Sequence, residues 1–335
     1  MMKKIITAGS FILACCFQNL QAQTAAEMHA NGKAFMLKGD YSNAVLVLTK
    51  SVLENPNDIE VQKDLAQSLY FQGNYDRALN VIKPVMDNPN ADDQVFLIAG
   101  NIYKQTGDPD GEKEVYKKAL KRFPNNGMLY NMLGELQFKQ KNFDAIKNWE
   151  KGIELDPAYS RNYFNAARYY FFTKDDKVWS LIYGEIFVNI EPKSAKTQEM
   201  KQILLEGYKK LFSATDLEKE NKERSDFAKA FLSVMNKESA GARAGITPES
   251  LAAIRNKFIT DWFAVPGRPA YHLFDMLKQL QHEGMLDTYN QWLFGAAAGP
   301  AAYDAWIKAH PKEVNAFEDF QKNRVFTMPP GQYYK

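Results

Sequence analysis

A small residue returns at Gly32, Ala66, Gly100 and Gly134, each 34 residues after the last, and no other feature of the sequence restricts the fold so narrowly. Ala44, Ala78 and Glu112 keep the same interval, each introduced by a Gly-Asp or Gly-Asn turn in "GDYSNA", "GNYDRA" and "GDPDGE". That interval is the length of a unit of two helices. A residue without bulk near the middle of the first helix admits the second at short range. The glycine pair turns the chain, and the later Ala seats the second helix on the first. Pro56, Pro124, Pro157 and Pro192 close four of the units, and Pro89 closes another one residue early, because proline cannot continue a helix. Such a unit cannot bury its apolar face alone, so the repeats must stack, and stacked repeats offer a surface rather than a reaction centre.

These residues resemble the tetratricopeptide repeat (TPR) family. Its pattern has a small residue and then an aromatic in the first helix, Ala and aromatic positions in the second, and a closing Pro. The third unit matches with Gly100, Tyr103, Tyr116, Ala119 and Pro124, and the first with Gly32, Phe35, Ala44 and Pro56. The second contributes Ala66 and Ala78. The fourth has Tyr130, Leu133, Gly134, Ala145, Trp149 and Pro157, with one residue lost in its turn "KNFDA". A fifth is worn: Ala167 and Pro192 hold their places, while Trp179 and Ser180 straddle the usual Ala. The resemblance implies an all-α, TPR-type helical-hairpin solenoid of about five repeats over residues 24–193.

Beyond Pro192 the register is lost but helical patterning continues. Ser194 to Ser213 carries apolar residues at helical spacing, and Thr215 with Glu218 offers a capping box for the helix that follows. Thr247-Pro248 starts another helix, and Phe263 to His272 is the clearest break. "GAAAGP" reads as a helix end followed by a helix that Pro300 opens. Residues 194–335 are therefore expected to form an all-helical C-terminal domain that caps the array, since the last face of a stack needs a cover.

The N-terminus has the layout of an export signal. Lys3 and Lys4 precede the apolar run Ile5 to Phe17, and Ala22 offers a small-residue cleavage site before Gln23. Residues 1–22 are thus expected to be a signal peptide, similar to those of exported Bacteroidota proteins, and the run is too short to span a bilayer. Neither Cys15 nor Cys16 is preceded by a lipobox, so a periplasmic or secreted protein is expected rather than a lipoprotein. Both cysteines would leave with the signal, which removes disulfides and thiol catalysis from the mature chain. The chain has 42 Lys plus Arg against 40 Asp plus Glu, so losing Lys3 and Lys4 makes it formally neutral. Nothing in that balance favours nucleic acid, and no integral membrane segment is expected in the mature chain.

Chemistry-bearing patterns are sparse. His29, His272, His282 and His310 show no helical metal-ligand spacing. No Gly-x-Ser-x-Gly elbow or phosphate loop occurs. No enzyme activity, cofactor or metal is therefore expected. The basic cluster Lys117, Lys118, Lys121 and Arg122 complements a helix end.

The run Tyr169 to Phe172 spreads four aromatics over about 300° of a helix, more than one buried stripe, so at least one must face something other than its own repeat. In TPR proteins the first helices line a concave partner groove. The resemblance implies that groove here at Lys63, Gln67, Tyr70 and Phe71, then Asn101, then Asn131, Glu135 and Phe138, then Arg168, Phe171 and Phe172. Amides, a few charges and aromatics together suit a protein or peptide partner. The expected function is an exported, non-catalytic scaffold in cell-envelope assembly or secretion. The alternative is a carbohydrate-binding or enzymatic site in the C-terminal domain, where Trp262, Trp292 and Trp306 stack on a sugar.

Overall fold

Several hairpins in the computed structural model begin where a side chain accepts from backbone N–H groups that a helix leaves unpaired, as at Thr24, Asp58 and Asn126. The structure describes residues 24–173, 177–220 and 225–333, and the expected signal peptide with Cys15 and Cys16 lies outside them. Thr24 and Glu27 form a capping box at the head of α1 (Ala25–Leu37), with Thr24 Oγ1 accepting from Glu27 N at 3.2 Å. Asp40 caps α2 (Tyr41–Glu54) and Asp58 caps α3 (Ile59–Phe71), and α4 (Tyr75–Val85) and α5 (Asp93–Thr106) follow. These five helices make one compact unit, which ends at Thr106; a second runs from Gly107.

In the first unit each helix packs on the next in chain order. The small residues decide how closely. A Cβ on Gly32 would stand 2.4 Å from Leu48 Cδ2, closer than atoms can pack, so glycine is what lets α2 lie against α1. Ala44, Ala66 and Ala78 are fully buried at the corresponding seats. Gly39 and Gly73 turn the chain between paired helices with φ of +72° and +76°, a left-handed conformation that a Cβ disfavours.

The second unit continues the pattern. Asp108 caps α6 (Pro109–Arg122) and Asn126 caps α7 (Gly127–Lys139), which pairs with α8 (Ala145–Leu155). A Cβ on Gly134 would meet the Trp149 indole at 2.4 Å, so this seat is shaped around a ring. Then come α9 (Ser160–Phe172) and α10 (Lys177–Ile190), the worn pair. Here Ser180 stands where the pattern has Ala, and its hydroxyl donates to the Ala167 carbonyl at 3.0 Å. A small polar residue keeps the short approach and finds its own acceptor.

One turn breaks the glycine rule. Lys141 occupies the place that Gly39, Gly73 and Gly107 hold in the earlier turns, and it takes the same left-handed conformation, φ +59°. It is the one non-glycine with positive φ among the described residues. The residue lost from this turn in the sequence lies just after it. The turn keeps its shape at the cost of backbone strain.

Repeat register ends near Pro192, but the packing does not. A single apolar core extends from Ala145 to Met328. It receives α11 (Ala195–Leu211), the short α12 (Leu217–Glu220), α13 (Asp226–Lys237), α14 (Pro248–Ala264), α15 (His272–His282) and α16 (Leu286–Ala298). The peripheral α17 (Pro300–Ala309) and α18 (Pro311–Lys322) follow. Beside the expected Thr215 and Glu218, Asp216 caps α12, its Oδ1 accepting from Glu218 N and Lys219 N at 3.1 and 3.2 Å. Its side chain sits next to the helix start, where the two N–H groups converge. Thr247 and Pro248 do open α14 with a capping box to Ser250.

A charged pair sits deep in this core. The Arg255 guanidinium on α14 grips the Glu185 carboxylate on α10 with both terminal nitrogens, one at 2.8 Å to Oε2, and also donates to the Tyr208 hydroxyl of α11 at 2.6 Å. Tyr289 of α16 donates to Glu185 Oε1 at 2.8 Å. Both charged side chains are almost fully enclosed. Burial pushes the Tyr289 phenol well above its ordinary range, so it remains a donor. Four helices are thereby fixed in relation to one carboxylate.

Two outcomes follow from the turns and seats. Gly134→Leu should lower stability by about 1–3 kcal/mol through overpacking against Trp149, read as a fall in the thermal midpoint. Lys141→Gly should raise stability by about 0.5–1 kcal/mol, because relief of left-handed strain exceeds the added freedom of the unfolded chain; chemical denaturation of the two proteins checks it.

Candidate partner-binding surfaces

In the first unit the surface is built on α3 and α5. Phe71, exposed at the end of α3, stacks on Tyr41 with centroids 4.8 Å apart, and Tyr70 meets it edge-on at 5.3 Å. The three rings form an aromatic corner in which Phe71 is exposed and the two tyrosines are half-buried. Gln67 and Asn101 are half-buried. Lys63 is placed differently: it is buried, and its ammonium is held by Asp92 at 2.6 Å and Glu60 at 2.7 Å. Burial opposes its charge, but the two carboxylates win and hold its pKa above the ordinary lysine value. It ties α3 to the start of α5. The neighbouring pair of His29 Nε2 and Asp64 Oδ2, 2.7 Å apart between α1 and α3, was not legible in the repeat pattern.

In the second unit α7, α9 and α11 carry a row of polar contacts. Asn165 on α9 donates to Glu135 on α7 at 3.2 Å, and Arg168 on α9 meets Glu199 on α11 at 3.0 Å. Phe172 stands beside this row with 69% of its surface exposed, and the Arg168 guanidinium lies 6.0 Å from its ring. The four consecutive aromatics go four ways. Tyr170 turns inward and donates to Glu150 at 2.6 Å, whereas Phe171 is covered by the Lys210 ammonium 3.5 Å above its ring. Tyr169 joins Trp149, Phe138 and Phe143 in a cluster with centroids 5.7 to 6.5 Å apart. Phe172 alone of the four is open.

Phe138 is therefore partly exposed and partly packed, its ring 5.7 Å from Trp149. Asn131 lies inside, 2% exposed, on the buried side of α7. A family pattern specifies which turn of a helix a residue is on, but a small rotation of that helix decides between groove and core. Trp262, one of the three tryptophans considered for a sugar, is 1% exposed and packed among Phe227, Phe258 and Phe274. It is core, because α14 turns this face toward α13 and α15.

Among the described residues no group of three or more His, Cys, Asp or Glu side chains is arranged to hold a metal ion. No described helix is long and apolar enough to cross a membrane. What these surfaces offer a ligand is aromatic area bordered by fixed polar groups.

Residues 35–99 match one tetratricopeptide repeat family model and residues 94–126 another. The chain thus carries tetratricopeptide repeats, a kind of scaffold typical of protein–protein interaction. It is 27% identical over 138 residues to BBSome complex member BBS4 of Bos taurus, a match that covers 40% of this chain and 26% of that protein. It is also 27% identical over 131 residues to Tetratricopeptide repeat protein 21B of Homo sapiens, covering 37% of this chain and 10% of that one. It therefore spans about a quarter and a tenth of these relatives. Among solved structures it is similar to a thermophilic TPR protein of Thermus thermophilus, with 17% identity and a TM-score of 0.42 over 54% of this chain and 100% of that one. It is similar also to pilF of Pseudomonas aeruginosa, with 18% identity and a TM-score of 0.44 over 53% and 81%.

Proposed function

We propose that this carrier of tetratricopeptide repeats is an exported, non-catalytic scaffold that holds a protein or peptide partner on its first-helix faces, in the assembly of the cell envelope or in secretion. The observation that carries this reading is Phe172. A phenylalanine 69% exposed at the end of a helix gains little from folding, yet the Arg168 guanidinium, held by Glu199, lies 6.0 Å from its ring, and Asn165 on the same helix is bonded to Glu135. An apolar anchor within a rim of fixed hydrogen-bonding groups is the arrangement that binds a peptide, whose side chains need apolar contact and whose backbone needs polar partners. The Tyr41, Tyr70 and Phe71 corner offers a second anchor of the same kind in the first unit.

Export rests on the sequence. A basic start, an apolar run of signal-peptide length and Ala22 before Gln23 support removal of residues 1–22 and delivery to the periplasm or beyond. Neutral net charge after removal agrees with recognition by shape and local contacts rather than by a broad electrostatic field.

The partner should be recovered by photo-crosslinking from position 172 in the native host. Phe172→Ala combined with Phe138→Ala should abolish that partner's binding in a purified two-component assay, and Tyr70→Ala should weaken it. Phe172→Ala alone should keep the thermal midpoint within a few degrees of the parent, because an exposed ring contributes little to folding, whereas Phe138→Ala also gives up packing on Trp149. Undiminished binding by a folded double variant would defeat the proposal. Intact mass of the exported protein should correspond to a chain beginning at Gln23; an acylated Cys15 or Cys16 would replace the soluble reading with a lipoprotein.

A further inference from the structure

A cleft of about 340 Å³ lies in the second unit where α17 and α18 fold beside α16. Its walls are aromatic: Trp292 from α16, Tyr303 and Trp306 from α17, and Phe317 from α18. Trp292 and Phe317 have centroids 5.9 Å apart. Each indole is already backed on one side. The Lys201 ammonium sits 3.6 Å from the centre of the Trp292 ring, and the His310 imidazole stacks on Trp306 at 4.4 Å and 15°. Neither Lys201 nor His310 lines the cleft, so what each indole gives it is the remaining ring surface.

Those rings are not simply core. Trp262 shows what a core indole in this unit looks like, at 1% exposure, whereas α17 buries none of its residues fully and still aims two large rings inward. Polar groups meet them there. Thr288 is 5% exposed, lines the cleft, and its hydroxyl has no hydrogen-bond partner among the described residues. The hydroxyl oxygen itself is not sealed from solvent, so the cost arises only if an occupant covers it without bonding it. The Gln321 amide and the Lys193 ammonium also line the cleft without a hydrogen-bond partner among the described residues.

The charges restrict the occupant. A cation would suit the ring faces but would meet the Lys193 ammonium, the Lys322 ammonium being taken up by Asp319 at 3.2 Å and Glu318 at 3.9 Å. An anion would meet the Glu318 carboxylate and the negative faces of four rings. A purely apolar group would leave Thr288 unpaired. A neutral ring with C–H faces for stacking and hydroxyl edges for hydrogen bonds meets none of these objections, and the volume is at the lower end for a small-molecule pocket. We infer that the cleft between α16, α17 and α18 is a saccharide-binding subsite, in which Trp292 and Trp306 stack on a neutral pyranose and Thr288, Gln321 and Glu318 bond its hydroxyls. The subsite is independent of the first-helix surfaces, and a glycan held there would be a second ligand of the same scaffold.

The test is titration of the full mature chain with cellobiose, maltose and N,N′-diacetylchitobiose, followed by calorimetry and by tryptophan emission. At least one should bind saturably in the millimolar range or tighter. Trp306→Ala should weaken that binding by about tenfold or more and Thr288→Val by about three- to tenfold, the ranges expected for a lost stacking face and a lost hydrogen bond. Phe138→Ala with Phe172→Ala should leave it unchanged, which separates this site from the partner surface. Failure of all three probes to saturate would overturn the inference, as would unaltered affinity in Thr288→Val, the isosteric variant that decides the matter if Trp306→Ala does not fold. Saturation by tetramethylammonium or by phosphate with the same dependence on Trp306 would overturn it as well, since the pocket would then select charge.

Discussion

Helices in this protein lie on one another where a side chain has no bulk, and the remaining architecture depends on that contact. At Gly32 the partner is Leu48 and at Gly134 it is the Trp149 ring, and in both places even one carbon would collide at 2.4 Å. Close seating lets each hairpin bury Ala at the facing position, leaving a remaining apolar face that only the next hairpin can cover. The array is thus a chain of nearest-neighbour obligations. A worn repeat survives if it keeps the distance, as Ser180 does by bonding the Ala167 carbonyl instead of offering a methyl group.

Such a design needs a different solution where the repeats stop. From α10 onward, large aromatic residues are added to small-residue seats such as Gly184 against Met200 and Gly207 against Leu181, and the buried Glu185–Arg255 pair orients what aromatic packing alone would leave loosely specified. Well-packed apolar residues in place of a buried pair often stabilise a protein as much or more, but removing one partner of such a pair costs about 3–5 kcal/mol. The physical effect of this pair is selectivity: one carboxylate accepts from Arg255 and Tyr289, and Arg255 reaches Tyr208, so α10, α11, α14 and α16 meet in one arrangement. Misaligned packing would leave a charge buried and unpaired.

The same principle divides surface from interior among the aromatics. Tyr169 to Phe172 are adjacent in sequence, yet one is bonded inward, one lies beneath a lysine, one joins a ring cluster and one is open. Aromatic density alone therefore does not reveal a site. Trp262 is core, whereas Trp292 and Trp306 border empty volume because α17 is peripheral and covers them only in part. Exposed or half-exposed rings become informative when fixed polar groups accompany them, as at Phe172 and in the α16–α18 cleft.

The sequence by itself determined the hairpin period, the seats at Gly32, Ala66 and Gly134, the glycine turns and the helix start at Thr247. These depend on interactions within a few residues or on a spacing that repeats. Only the tertiary structure decided that Lys63 spends its charge on Asp92 and Glu60, that Asn131 faces inward, that Glu185 meets Arg255 seventy residues away, and that Thr288 shares a cleft with Trp306. Each of these depends on the rotation of one helix against another. That rotation is set by the summed packing of side chains distant in sequence, and no spacing along the chain records it.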